Sequence, residues 1–362
     1  MAKKGVVVQV LLVVAITVCC LGATEAQSQS LGFECRSDSV QCRALIDYTA
    51  PNNTNYRAIQ KLFNVKHLID IVGANSLPAN TNGTDPVNKG RTIRIPFGCK
   101  CRNSTGLSSN RRPVYTVQSG DTLSHIAEEV FSRLVTWQQI QAANNLTDPN
   151  KIDVGQEFWI PLPCSCDQVN DTTVVHYGHV VASGSTVQQI AQQYGTTQDT
   201  LLNLNNMTDP NKLQAGQILD VPLKACGLNV KNESLDFHLL VADTTELYTA
   251  NGCVKCRCDT ANNLTVQCEP SQAKPANWST CPTMQCQTSD SVQLFIGNAT
   301  DSCPRTTCAY AGYAANQTIF TTLVTDSTCP ASGASRITLP SSFLSIFFAS
   351  IAVYQYFSCL FD

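Results

Sequence analysis

Asn144-Asn145-Leu146-Thr147-Asp148-Pro149-Asn150-Lys151-Ile152 decides the reading of this chain. It returns 61 residues later as Asn205-Asn206-Met207-Thr208-Asp209-Pro210-Asn211-Lys212-Leu213. Each copy leads through Gly-Gln (Gly155-Gln156, Gly216-Gln217) into a short strand ending in Pro-Leu (Pro161-Leu162, Pro222-Leu223). A fixed period marks a tandem array of one small unit. Arrays with short variable loops present extended recognition surfaces, which points to a binder. Asp-Pro in each copy is also ordinary type I turn chemistry.

Working outward, Tyr115-Thr116-Val117-Gln118-Ser119-Gly120-Asp121-Thr122 precedes a helical stretch from Leu123 to Phe131, in which Ile126, Ala127 and Val130 recur at helical spacing. A second helix is predicted from Trp137 to Ala143, and after the turn a strand from Glu157 to Pro161. The order is strand, helix, helix, strand. The next copy follows suit with His179 to Ser183, Ile190, Ala191 and Tyr194, then Leu201, Leu202 and Leu204, and Ile218 to Pro222. A more divergent first copy is read from helices at Tyr56 to Phe63 and His67 to Val72 and a last strand at Thr92 to Pro96. Either Asp121 or Thr122 is placed to cap the first helix of the second copy.

In the three last strands Ile93, Phe158 and Leu219 fall in register, as do Ile95, Ile160 and Val221. Alternate apolar positions face a core. The residue between them, Arg94, Trp159 or Asp220, then lies on an outward face. Trp159 is thus expected to be exposed on its own module, packing on a neighbour or stacking on a sugar.

Nineteen cysteines punctuate the chain. Cys99-Lys100-Cys101 and Cys164-Ser165-Cys166 follow the first two copies and Cys226 the third. Disulfide geometry disfavours closing either Cys-x-Cys on itself, so each cysteine is expected to reach another segment, including Cys35 and Cys42. That leaves 15 connectivities open for these six. Cys253-x-x-Cys256-x-Cys258 could be read as a zinc cluster, but an oxidising compartment favours disulfides, and no metal or cofactor is expected.

The compartment is read from the ends. Residues 1–26 have a secretory signal's layout: Lys3 and Lys4, an apolar run from Val6 to Leu21, then Thr24 and Ala26. Near the other end, Ala331-Ser332-Gly333-Ala334-Ser335 precedes a short spacer and an apolar run from Phe343 to Phe361 with no basic residue after it. That is the layout of a GPI attachment signal, expected at 333–362 with Ser332 or Gly333 as the candidate attachment residue, in preference to a membrane span. Without Cys19, Cys20 and Cys359 an even 16 cysteines remain, as in an oxidised secreted protein. Eleven Asn-x-Ser/Thr sequons (Asn52, Asn82, Asn103, Asn145, Asn170, Asn206, Asn232, Asn263, Asn277, Asn298 and Asn316) fit an extracellular glycoprotein. A net charge of −3 with five histidines argues against a nucleic-acid partner.

Tyr-x-Val-x-x-Gly-Asp-Thr, two short helices, Asn-Asn and a closing Ile-Pro strand resemble the LysM domain: strongly for Tyr115 to Leu162, well for His179 to Leu223, weakly for the first copy. The whole layout, with Phe158-Trp159-Ile160-Pro161-Leu162-Pro163-Cys164-Ser165-Cys166-Asp167 and Cys253-Val254-Lys255-Cys256-Arg257-Cys258, resembles the plant LysM domain-containing GPI-anchored, chitin-elicitor-binding-protein-like family. The resemblance implies an α+β fold of three small βααβ modules cross-linked by disulfides (46–97, 115–162 and 176–223), then a Cys-rich region at 227–330. It implies disulfides Cys35 to Cys101, Cys42 to Cys166 and Cys99 to Cys164, with Cys226 and the later cysteines pairing among themselves.

It further implies that N-acetylglucosamine glycans bind between two loops, which in the second module are Ser119, Gly120, Asp121 and Thr122 facing Pro149, Asn150, Lys151 and Ile152. An N-acetyl group offers an amide to backbone partners and a methyl to Ile152 or Pro149. The third module has Ser185 for the aspartate and Leu213 for Ile152, and the first lacks Gly-Asp-Thr. A glycan on Asn145 would have to point away from the groove. The implied function is a non-enzymatic receptor on the outer face of the plasma membrane. Its ligands would be chitin oligomers or peptidoglycan fragments, bridging two copies into a homodimer. It would signal in innate immunity through a LysM receptor-like kinase. A hydrolase-targeting chain would need a catalytic domain, and none is legible. A structural cell-wall glycoprotein is the other class that the sequons and cysteines allow.

Overall fold

The computed structural model describes residues 32–327 apart from 37, 238, 260–263, 289–292 and 302. The expected signal (1–26) and GPI segment (333–362), Ser332, Gly333 and the Asn263 sequon lie outside the described residues. Among the described residues no helix is long and apolar enough to cross a membrane. Residues 32–298 with 307–323 form one compact body. The second comprises 299–306 and 324–327 among the described residues, and in it the Thr300 and Thr306 backbones are joined at 2.9 Å.

The strand-helix-helix-strand order occurs three times. In the first repeat β1 (Gln41–Thr49) and the short β2 (Thr54–Asn55) lead to α1 (Tyr56–Leu62) and α2 (Leu68–Ala74), then β3 (Pro86–Val87) and β4 (Thr92–Arg102). After β5 (Thr105–Ser108), the second repeat is β6 (Val114–Thr116), α3 (Leu123–His125), a π-helical turn over Ile126–Val130, α4 (Trp137–Ala143) and β7 (Glu157–Trp159). The third is β8 (Val174–Val180), α5 (Val187–Gln193), α6 (Gln198–Leu204) and β9 (Ile218–Gly227). The remainder holds β10 (Leu240–Ala242), β11 (Glu246–Thr249), β12 (Val254–Asp259), β13 (Thr265–Pro270), β14 (Gln285–Gln287), β15 (Gln293–Phe295), β16 (Arg305–Ala314) and β17 (Thr318–Asp326).

The expected helix from Leu123 to Phe131 is therefore not one regular α-helix: it widens after His125. The first repeat's strands also run further than its apolar pattern shows, and β9 continues past Pro222 to Gly227. The extensions carry Cys42, Cys99, Cys101 and Cys226, so ladder and disulfides reinforce one another.

Repeats one and three are fused. A single sheet runs β10-β9-β8-β1-β4-β5, in which β1 and β8 pair in parallel (Leu45 opposite Tyr177, Ile46 opposite Gly178) and the other neighbours are antiparallel. The second repeat keeps its own sheet of β6 and β7 and joins the first through a shared apolar core. Phe63 and Phe131 meet edge to face at 5.6 Å, flanked by Tyr48 and Tyr115.

Disulfides complete the attachment. Cys35 is bonded to Cys101, Cys42 to Cys166 and Cys99 to Cys164. At Gly106 of β5 an added Cβ would lie 1.7 Å from the Cys164 carbonyl oxygen, so only glycine lets the backbones meet. Further on, Cys226 is bonded to Cys258, Cys253 to Cys281, Cys256 to Cys268 and Cys286 to Cys308. The Cys253-x-x-Cys256-x-Cys258 thiols are thus consumed in disulfides and cannot ligate zinc.

The strand alternation is as expected. Ile93, Phe158 and Leu219, with Ile95, Ile160 and Val221, are all at most 1% exposed. The residues between them do not meet solvent freely. Arg94 lies over the Tyr177 ring at 4.5 Å, and Trp159 is half-buried with Nε1 donating to Ser108 Oγ at 3.1 Å. Asp220, expected to face outward, is fully buried. His176 and the N-terminal segment at Gly32 cover it. An outward face of one module is an inward face of the assembly.

Candidate functional site

The first Asn of the repeated stretch does a job that its sequence does not announce. Asn144 Nδ2 donates to Ile140 C=O and to Trp159 C=O, both at 2.8 Å, while Oδ1 accepts from Trp159 N–H at 2.9 Å. Asn205 makes the same three bonds to Leu201 and Asp220, and Asn75 to Ile71 and Arg94. In every repeat one amide thus clamps the end of the second helix to the middle of the last strand. An amide can do so because it both donates and accepts. The second Asn, Asn145 or Asn206, adopts positive φ just beyond the helix, as Ser76 does in the first repeat. Both asparagines are exposed.

With the strand so fixed, the two expected loops are brought to the same end of the second repeat. β6 pairs with β7 (Val114 opposite Trp159), and the ladder continues through Val117 N–H to Gln156 C=O and Gly155 N–H to Val117 C=O, each 2.9 Å. Ser119 to Thr122 leave that ladder on one strand, and Pro149 to Ile152 approach it on the other.

Within the first loop Asp121 is an internal brace. Its Oδ2 accepts from Tyr115 Oη at 2.8 Å and from Gln118 N–H at 2.7 Å, and His125 lies 3.5 Å from Oδ1. Burial, reinforced by the bond to Asp121, pushes the Tyr115 phenol well above its usual range, so it stays a donor. Thr122, not Asp121, caps the helix, accepting from His125 N–H at 3.1 Å. Ser119 and Gly120 are exposed, and Gly120 has φ of +90°, open to backbone approach.

The second loop is built by Asp148, whose C=O accepts from Lys151 N–H at 3.2 Å and whose Oδ1 accepts from Asn150 N–H at 3.0 Å. Lys151 and Asn150 are exposed, Pro149 is half-buried, and Ile152 packs its inner side on the core while remaining half-exposed. Val154, 69% exposed, stands beside them. The arrangement offers polar backbone and an apolar wall.

The third repeat has the same ladder (Val181 with Gln217 and Gly216) and Thr186 as cap, with a capping box to Gln189. Its brace is gone. His179 replaces Tyr115 and Ser185 replaces Asp121, and His179 Nδ1 instead lies 3.0 Å from Asp47 Oδ2 on β1. The first repeat's corresponding loop is occupied by Pro51, the Asn52 sequon and Asn53, which anchors Lys89 N–H at 2.8 Å.

Near the start of β8 lies a buried ion pair that sequence patterns did not reveal. His176 Nδ1 is 2.9 Å from both Asp220 carboxylate oxygens, and Nε2 is 2.9 Å from the Asp167 carbonyl. Both partners only accept, so both ring nitrogens carry protons. Burial alone would lower the His176 pKa, but the Asp220 charge and the hydrogen bonds from Asp220 and Asp167 outweigh it and hold the pKa above the ordinary value.

Comparison with known proteins agrees with this architecture. The LysM domain family matches residues 115–161 and 179–222. "LysM domain-containing GPI-anchored protein 2" of Arabidopsis thaliana is 48% identical over 316 residues, covering 86% of this chain and 87% of that one. "Chitin elicitor-binding protein" of Oryza sativa subsp. japonica is 40% identical over 317 residues, covering 86% of each. A crystal structure titled as the ectodomain of a receptor like kinase is 22% identical with a TM-score of 0.43, over 52% of this chain and 94% of that one, too loose to argue from. On the two close full-length relatives, the chain belongs to the family of plant LysM domain-containing GPI-anchored proteins.

Proposed function

We propose that the chain is a receptor or co-receptor that binds N-acetylglucosamine glycans, chitin oligomers first among them, through the second repeat. The observation that carries this reading is the loop pair there: Ser119 to Thr122, open at Gly120 and braced by Asp121, at the same end of the repeat as the Asp148-built turn and Ile152. The relative named as a chitin elicitor-binding protein supports the ligand class. The first and third repeats serve as scaffold in this reading, since neither has the brace. The protein is held outside the plasma membrane by a GPI lipid at Ser332 or Gly333, and signals in innate immunity through a LysM receptor-like kinase. It carries out no catalysis.

The test is titration of the secreted protein with chitin oligomers and with peptidoglycan fragments, alongside Ile152→Asp. Chitin binding that disappears in the variant supports the site; binding that survives removes the second-repeat groove. Preference for peptidoglycan would keep the groove and change the ligand. Because a polymer can bridge two copies into a homodimer, an octamer should outbind a dimer well beyond statistics. A phospholipase specific for GPI anchors should release the protein from cells.

A further inference from the structure

A cleft lies at the face where β1 and β4 meet the start of the Cys-rich region, with Arg112 before β6 on its rim. It holds about 480 Å³, within the size range of small-ligand sites. Its apolar wall includes Phe63, Phe97, Leu235 and Phe237, and its charged lining is Arg43, Lys66 and Arg112 against Asp70. Three cations thus line the cleft with one carboxylate, and a second, the buried Asp236, lies near Arg43.

These cations are not used up by the fold. Among the described residues none of the three takes part in an ion pair at 4.0 Å or less. Arg43 is half-buried at the foot of the cleft, opposite Gly98 on β4. Burial pushes its guanidinium pKa down even though Asp70 and Asp236 lie near enough to oppose this. A partly desolvated guanidinium without an ion-pair partner gains more from an incoming carboxylate than an exposed one does. The rim adds exposed apolar surface: Leu235 is 61% exposed and Phe237 42%.

We propose that this cleft is a docking site for an acidic peptide segment of a partner protein, in which a carboxylate meets Arg43 and Arg112 and a neighbouring aromatic or aliphatic side chain lies on Phe97 and Leu235. Charge complementarity selects an anionic occupant. The exposed leucine and phenylalanine beside it select one carrying apolar side chains, as protein interfaces do. An extended chain suits the site because alternate side chains can serve the apolar wall and the cations in turn. None of the glycan-loop residues lines this cleft.

The probe is a fluorescein-labelled, end-blocked tetrapeptide Asp-Leu-Phe-Asp, titrated against the full secreted chain by fluorescence anisotropy. A Lys-Leu-Phe-Lys peptide and 3-phenylpropionate serve as competitors. Expected are saturable binding, at least tenfold weaker binding of the lysine peptide, and loss of affinity as salt rises. Arg112→Glu, on the exposed rim, should weaken binding at least tenfold, and Arg43→Gln at least as much, while chitin binding is retained. Retained chitin binding also shows that each variant has folded. Absence of binding up to about 1 mM, equal binding of the two peptides, or indifference to Arg112→Glu overturns the proposal. Competition by 3-phenylpropionate at the peptide's own affinity would also overturn it, in favour of a small-anion site.

Discussion

The second and third repeats share an element order, an asparagine clamp and a turn, yet they spend their first strands differently. β8 is paired on both sides, with β9 and with β1, and its His179 is turned toward Asp47. β6 pairs with β7 in a two-stranded sheet, which leaves Tyr115 to brace Asp121 inside its own loop. The comparison teaches that repeat identity does not fix the loop. What differs is whether the strand leading into it is free of the assembly.

The largest effect should come from the feature that the repeats share. Asn205→Ala and Asn144→Ala each remove three hydrogen bonds and strand buried peptide groups, costing about 2–4 kcal/mol. Asn205 is fully buried and Asn144 only half-buried, so the first should cost more. Thermal unfolding followed by circular dichroism ranks them, and equal losses would deny the third repeat its scaffold role.

Next comes the brace that separates the repeats. Asp121→Ala removes two short hydrogen bonds to a carboxylate, worth about 1.5–3 kcal/mol, and should lower chitin affinity at least tenfold. Ser185→Ala should leave it within twofold. Calorimetric titration of both variants checks this; comparable losses would assign binding to both repeats.

The third repeat should in turn show a pH signature through His176. The folded His176 pKa lies above its unfolded value near 6.5. Its stabilisation is therefore complete below about 6.5 and is lost as pH rises through the raised folded value. Melting temperature should drift down across that window, and His176→Gln should remove the drift. The groups facing the ring are Asp220, the Asp167 carbonyl and the Asp167 charge. A profile unchanged by the substitution would break the assignment.

The smallest effect is at the attachment of the second repeat. Trp159→Phe keeps an aromatic side chain but trims the indole and loses the bond to Ser108 Oγ, a hub that also donates to Ile160 C=O. About 0.5–1.5 kcal/mol of stability should go, with glycan affinity unchanged. A lost affinity would restore sugar stacking as the role of Trp159.

Much of this was legible one residue at a time. Trp137 to Ala143 was readable as a helix because its apolar spacing lies within a few residues. The turn at Asp148 was readable because its partners are Asn150 and Lys151. The asparagine clamp was not, since its partner is 15 residues on, in a strand whose backbone carries no sequence mark. The loss of the brace in the third repeat was half legible: Ser185 was noticed, whereas His179 mattered only once Asp47 stood beside it.

The sequence by itself determined the repeats, their turns, the inward alternation of each last strand and the membership of the family. These rest on interactions within one short stretch, where spacing dictates geometry. Only the tertiary structure decided that β1 and β8 join two repeats in one sheet, that Asp220 is buried against His176, and that the second repeat keeps its loops open. Each of those depends on which surface covers which, and covering is set by contacts among segments far apart in the chain.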